Sequence, residues 1–317
     1  MFIEKKKQKK GVKYYLAHSY REKGKSKKIR KYLGINLSKG DLVNKREKAK
    51  EKINELLNEL NTEIFGFALT PRQINSLNNI NNRIRIVKLS KKEFKKFTQD
   101  FAYNTNAIEG SKLLENEVKQ VLEEHPKTKD SDEIEAMGVE EAIKFIIAEK
   151  KDLSLFLIRN LHKLCFKNSK HFAGKFRDVE VVIKNPRGEI IHRGIPVKYL
   201  DSALKNLIEW YEKNKDKFKP IVLAGIIHNQ FEYIHPVQDG NGRVGRLLLN
   251  FILLRNNYPP INIFLEDRQE YYYMLEQYQK NQDLRPTMEF LVKQYHKTLK
   301  ETTKKEKSRN VVPFPKR

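Results

Sequence analysis

His235-Pro-Val-Gln-Asp-Gly-Asn-Gly-Arg-Val-Gly-Arg246 is the stretch that decides how this chain folds and what its centre can do. It joins a titratable imidazole (His235), a carboxylate suited to a hard cation (Asp239), a Gly-Asn-Gly turn and two guanidinium groups, Arg243 and Arg246. Gly240 and Gly242 lack Cβ, so the backbone can take positive φ and approach a ligand closely. Asn241 tolerates the left-handed region. The apolar run Leu247-Leu-Leu249, then Phe251-Ile-Leu-Leu254, predicts a buried helix starting near Gly242. A glycine turn feeding a helix N-terminus aims free N–H groups at an anion. Arg243 and Arg246 lie on that first turn and can reach the same ligand. One carboxylate beside phosphates suits Mg²⁺. His235, with a reference pKa of ~6.5, can take a proton near neutral pH. The pattern predicts a general base beside a Mg-bound polyphosphate, where positioning and charge stabilisation carry the chemistry.

The flanking sequence continues the pattern. Ala224-Gly-Ile-Ile-His228-Asn-Gln-Phe231-Glu-Tyr-Ile234 predicts a helix leading into the loop. Upstream, Gly174-Lys-Phe-Arg177 precedes the strand-like Val179-Glu-Val-Val-Ile183, the turn Asn185-Pro-Arg-Gly188 and the return Ile190-Ile-His-Arg-Gly-Ile-Pro196. Downstream come Tyr258-Pro-Pro and Asp267-Arg-Gln-Glu-Tyr271-Tyr272. Together with the loop, these segments resemble the Fic (filamentation induced by cAMP) family, whose signature is His-Pro-Phe-x-Asp/Glu-Gly-Asn-Gly-Arg-x-x-Arg. The one departure in the signature is Val237 in place of Phe. The likeness runs over roughly residues 65 to 300.

The resemblance implies a mainly α fold: a Fic-type helical bundle with a small β-hairpin flap. It also implies AMP transfer from ATP to a Tyr, Thr or Ser hydroxyl of a target protein. His235 would deprotonate the hydroxyl, Asp239 would hold Mg²⁺, and Gly240, Asn241, Gly242 and Arg243 would cradle the phosphates. Arg246 would grip the γ-phosphate, and Tyr271, Tyr272 and Leu275 would line the adenine pocket. Gln279 stands where the family often has Asn. Thr105-Asn-Ala-Ile-Glu109-Gly110 matches the family's inhibitory pattern Ser/Thr-x-x-x-Glu-Gly/Asn. The resemblance therefore implies an inhibitory helix N-terminal to the core, whose Glu109 pairs with the second arginine of the loop.

The chain has 317 residues with 39% apolar content, enough for one sizeable domain and an appendage. Its net charge is +24, and residues 1–50 hold 18 Lys and Arg against 4 Asp and Glu. Such a basic segment makes nucleic acid or another polyanion a candidate partner, although Lys is abundant throughout. The single cysteine, Cys165, falls on an apolar helical face and implies no disulfide. No apolar signal core and no run of ~18 apolar residues are present, so no membrane partner is expected and the expected location is cytoplasmic.

Residues 1–36 are expected to form a basic β-hairpin, with strands 13–20 and 28–33 about a turn at Glu22–Lys25, and residues 37–62 a linker helix striped by Ile53, Leu56, Leu57 and Leu60. The Fic domain, 63–300, is expected to hold helices at 71–85, 91–108, 114–124, 131–149, 152–167, 197–214, 220–234, 242–256, 267–280 and 286–300. The inhibitory helix spans about 91–110, and 301–317 reads as a flexible tail. His228, two turns before His235, lacks a third nearby ligand and reads as structural rather than metal-binding. Three functions stay open at this level: autoinhibited AMP transfer, AMP removal by the same site with Glu109, and nucleic-acid-binding regulation through the basic N-terminus. The target, self-modification and a homo-oligomer are not decided by the residues.

Overall fold

Alternating apolar and charged residues, with Tyr and Ile enriched, make the first segment a sheet. The computed structural model describes residues 1–8, 11–22, 25–60, 69, 71–184 and 190–303. They fall into two units, Met1–Gly66 and Phe67–Arg317. The first contains β1 (Phe2–Gln8), β2 (Gly11–Glu22), β3 (Lys25–Ile35) and the helix α1 (Lys39–Leu60). The strands are antiparallel in the order β1-β2-β3, with a bulge at Tyr14/Tyr15. The expected hairpin thus gains a third strand, β1. The physical reason is that Ile3 pairs with Leu16 and widens an apolar face that two strands alone could barely stabilise. Ala49 and Ile53 of α1 pack on Leu16 and Leu33 across that face. The side chains expected to continue the stripe, Leu56, Leu57 and Leu60, lie outside the described residues, as do residues 61–62 and the turn at 23–24.

The larger unit is helical: α2 (Pro71–Asn78), a 3-10 turn (Asn79–Arg83), α3 (Lys91–Ile108), α4 (Glu115–Glu124), α5 (Ser131–Ala148) and α6 (Leu155–Phe166). A short antiparallel pair follows, β4 (Val182–Lys184) and β5 (Ile190–Arg193). Then come α7 (Val197–Asn214), α8 (Pro220–Ile234), α9 (Asn241–Arg255), a 3-10 turn (Leu265–Asp267), α10 (Arg268–Asn281) and α11 (Arg285–Thr303). The expected turn at 185–188 lies outside the described residues. So does 304–317, whereas residues 301–303, read as tail, complete α11.

Local chemistry sets the helix starts. Ser90 caps α3 in a reciprocal capping box with Glu93, Asp130 caps α5, Ser154 caps α6, and Pro220 opens α8. The α8 segment is apolar on every side, and a helix of that kind is stable only when surrounded. All of Ile221–Glu232 is buried. With α9, α8 forms the central hairpin of the unit, and the loop between them is the 235–240 segment. Packing of α5, α6 and the end of α3 around α9 brings their polar side chains to that loop. Among the described residues no helix is long and apolar enough to cross a membrane.

Candidate active site

The loop between α8 and α9 is held by its own residues. His235 ends α8 in the left-handed region at φ 54°, its N–H still bonded to Phe231 O at 2.9 Å. Pro236 has no N–H to extend the helix. Asn241 then staples the loop: its Oδ1 accepts from Val237 N at 3.0 Å and its Nδ2 donates to Val237 O at 2.7 Å. Val237 itself is 1% exposed, so it fills the apolar anchor position. Gly240 takes φ 86°, and a Cβ there would meet the Phe166 ring. Glycine is therefore required twice, for conformation and for space. His162 of α6 ties the loop from below, with Nε2 at 3.1 Å from Asp239 O while Nδ1 accepts from Gly174 N at 3.0 Å.

Arg177 fastens this loop to the flap. Its Nε donates to His235 O at 2.7 Å, Nη1 to Val179 O at 2.9 Å and Nη2 to Ile195 O at 2.5 Å, and its backbone N–H reaches Pro236 O at 3.0 Å. A planar guanidinium spreads five donors over three nitrogens in a fixed fork, a span that the single nitrogen of an ammonium does not have. Arg177→Lys is expected to destabilise the fold by about 2–4 kcal/mol and to lower turnover at least tenfold, as buried carbonyls lose donors. Urea denaturation and a turnover assay would check it; wild-type values in both would refute the clamp.

The two motif arginines are both buried, at 5% and 1% exposure for Arg243 and Arg246. Arg243 is ion-paired with Glu135 of α5, lies 3.6 Å from Asp239 and sits over the Phe166 ring. Lys170 bridges Glu135 and Asp239 at 3.5 and 3.4 Å. Among the described residues the Asp239 carboxylate thus has Lys170 and Arg243 as its ionic partners, with 45% of its side chain exposed. Arg246 is held by the end of α3. Its Nε donates to Thr105 Oγ1 at 2.7 Å, and Nη2 to Thr105 O at 3.0 Å and to Glu109 Oε1 at 2.8 Å. Its Nη1 donates to Tyr271 OH at 3.3 Å. Glu109 caps α3 and lies over the first turn of α9, where a Cβ on Gly242 would collide with its carboxylate. First-turn N–H groups of a helix and an arginine suit an anion, and the Glu109 carboxylate lies beside that turn, paired with Arg246. The Thr-x-x-x-Glu spacing follows, since positions four apart share one helix face.

Burial sets the protonation of the site. It pushes His235 down to about 4, with His192 of β5 adding to the effect, so the imidazole is neutral at pH 7. His235 Nδ1 lies 3.3 Å from Glu232 O, a contact that assigns the proton to Nδ1 and leaves Nε2 unprotonated. Burial also lowers His228 and His162 to about 4 and raises Glu232 to about 8. Glu232 lies against Gly245, one residue from Arg246.

Signs for folding stability follow. The buried histidines have folded pKa values below their unfolded ones, so their contribution is complete above ~6.5 and disappears as pH falls toward 4. Glu232 acts oppositely: its neutral form is native, and stability is lost as pH rises from ~4.5 through about 8. Glu232→Gln is expected to flatten the alkaline side of a melting-temperature profile and leave the acid side steep. An unchanged alkaline limb would disprove this role.

Several expectations shift in detail. Tyr271 is 1% exposed and braces Arg246 and His228 through its hydroxyl, so it supports the second arginine rather than presenting an open wall. Tyr272, 43% exposed, and the half-buried Leu275 are the accessible members of that trio. The Asn241 side chain is consumed by the loop, which leaves its backbone N–H for a ligand. His228 is a buried structural residue, as read. Sequence reading missed Glu135, Lys170, Arg177, His162 and Thr105 as partners of the loop. Thr105 and Arg177 stood inside quoted motifs, whereas Glu135 and Lys170 carried no local signal.

Residues 152–253 match the model of the Fic/DOC family. Over 206 residues the chain is 28% identical to the protein adenylyltransferase Fic of Nematostella vectensis, covering 62% of this chain and 47% of that protein. It is 30% identical over 205 residues to the protein adenylyltransferase fic-1 of Caenorhabditis elegans, covering 61% and 39%. The chain thus spans less than half the length of these curated relatives. A Fic domain containing signaling protein from Bacteroides thetaiotaomicron superposes with a TM-score of 0.60 at 25% identity, over 73% of this chain and 94% of that one.

Proposed function

We propose, from the match of residues 152–253 to the Fic/DOC family model, that this chain transfers AMP from ATP to a hydroxyl of a protein and that Glu109 restrains the transfer. The observation that carries this reading is the Glu109 carboxylate paired with Arg246 over the first turn of α9, an anion in an anion site. When Glu109 leaves, the α9 amides and Arg246 are open to a triphosphate, with Arg243 held beside them by Glu135. His235 Nε2 takes the proton of the target hydroxyl. The oxygen bonds to the α-phosphorus, the bond to the β-phosphate oxygen breaks, and pyrophosphate departs.

Asp239 fits a divalent cation: its carboxylate is half-exposed and held by Lys170 and Arg243 only at 3.4 and 3.6 Å, longer than direct hydrogen bonds, and a magnesium ion held by one carboxylate and phosphate oxygens needs no protein cluster. Such an ion supplies charge neutralisation of the phosphates. Tyr272 and Leu275 are the accessible side chains for the base, with Gln279 one turn on. The β4–β5 pair offers an edge on which an extended target segment can lie. The names of the relatives favour transfer over AMP removal.

Two labelled ATPs test the reading. Label at the α-phosphate should appear on protein, and label at the γ-phosphate should leave as pyrophosphate. Protein labelled from the γ-position would make the reaction a phosphoryl transfer and overturn the proposal.

A further inference from the structure

The first 36 residues hold 13 Lys and Arg against two Glu, a balance of +11 out of the chain's +24. The sheet sorts these charges by face. Ile3, Leu16 and Leu33 lie under α1. The opposite face is set by register: Glu4, Tyr15 and Tyr32 form one row across the three strands, Lys6 and Lys13 the next, and Ala17 and Arg30 another. Tyr15 and Tyr32 are a ring pair with centroids 5.4 Å apart, and Tyr32 is 55% exposed. Lys6 lies over Tyr15 at 5.9 Å. Glu4, the face's one acid among the described residues, holds Lys28 at 2.5 Å and Arg30 at 2.6 Å and so aligns two cations side by side. Phe2 shares the row of Ala17 and Arg30; Ala17 is fully buried there, while Phe2 is 45% exposed with Lys28 over its ring at 5.1 Å.

We propose that this outer face of the β1-β2-β3 sheet binds duplex DNA, a function separate from the nucleotide site. Charge complementarity commits the occupant to a polyanion. Shape narrows it further. Strands spaced by ~4.8 Å let an adjacent pair enter a B-form major groove about 12 Å wide, which admits a two-stranded ribbon, while the third strand meets the flanking backbone. The deep, narrow major groove of duplex RNA does not admit such a sheet. Lys6, Lys13, Lys28 and Arg30 supply phosphate contacts, and the tyrosine pair meets the sugar and base edges.

The test is fluorescence anisotropy of the full chain with a labelled duplex of about 20 base pairs, titrated across salt concentrations. Binding is expected to weaken with salt. Lys6→Glu with Lys13→Glu should reduce affinity at least about tenfold and flatten the logarithmic salt slope by about two. Glu4→Gln should tighten binding. In the double variant, circular dichroism and AMP transfer should match wild type, which separates a lost DNA surface from a lost fold. No salt-dependent binding, an unaffected double variant, or equal affinity for duplex RNA or anionic phospholipid vesicles would each overturn the assignment. A chain that binds DNA but transfers no AMP would leave this inference standing and remove the enzymatic one.

Discussion

Glu109→Gly should raise the rate of AMP transfer about ten- to a hundredfold, the range of a typical coupling free energy between two mutually exclusive states. In the native arrangement Arg246 is 1% exposed and fully engaged by Thr105, Tyr271 and Glu109, so a triphosphate must displace a charge-assisted bond before its terminal phosphate can be gripped. Removing the carboxylate leaves a buried guanidinium without its counter-ion. The variant should therefore lose roughly 1–3 kcal/mol of stability, a range discounted because Glu109 retains 27% side-chain exposure. ATP with Mg²⁺ should restore that loss in the variant by supplying phosphate oxygens, and it should shift wild type much less. Glu109→Gln, which retains shape without charge, should fall between the two. A Glu109→Gly protein that melts at the wild-type temperature and neither binds nor uses ATP any better would show that the carboxylate does not restrain the site.

His235→Asn is the second large effect, a loss of about 10²–10⁴ in turnover with nucleotide affinity nearly unchanged. Asparagine is the informative replacement. The residue sits at φ 54°, where alanine adds roughly 1–2 kcal/mol of backbone strain and asparagine tolerates the conformation, so loss of the base is separated from distortion of the loop. The pH profile supplies a second check. The base acts when deprotonated, and burial places its pKa at about 4. Turnover should be level through neutral pH on this group's account and fall about tenfold per unit only below 4. A single-proton rise centred near ~6.5 would instead mean that the imidazole is solvated in the working enzyme.

How much of this was legible beforehand depended on whether the cause was local. The structure has helices at the expected 91–108, 197–214 and 220–234, and local chemistry fixes starts such as Ser90 before α3 and Pro220 at the head of α8. The 235–246 loop was readable for the same reason: glycine conformations, a proline stop and a helix start are properties of adjacent residues. The third strand escaped because Phe2–Gln8 is short and mostly charged, and its pairing is decided by Ile3 meeting Leu16. The functions of Glu135 and Lys170 escaped because each depends on a partner about 70–110 positions away.

The order of residues alone therefore determined which groups the centre contains: a base, a carboxylate, glycine-turn amides and two guanidiniums on one short arc, plus a Thr and a Glu spaced to share a helix face. Only the packing of α3 against α9 decided that this Glu fills the anion position, that Tyr271 braces the arginine from within, and that Arg177 binds flap to loop. The reason is physical: backbone preferences act between neighbours along the chain, whereas a buried charge must find its counter-charge wherever the folded interior brings one within reach.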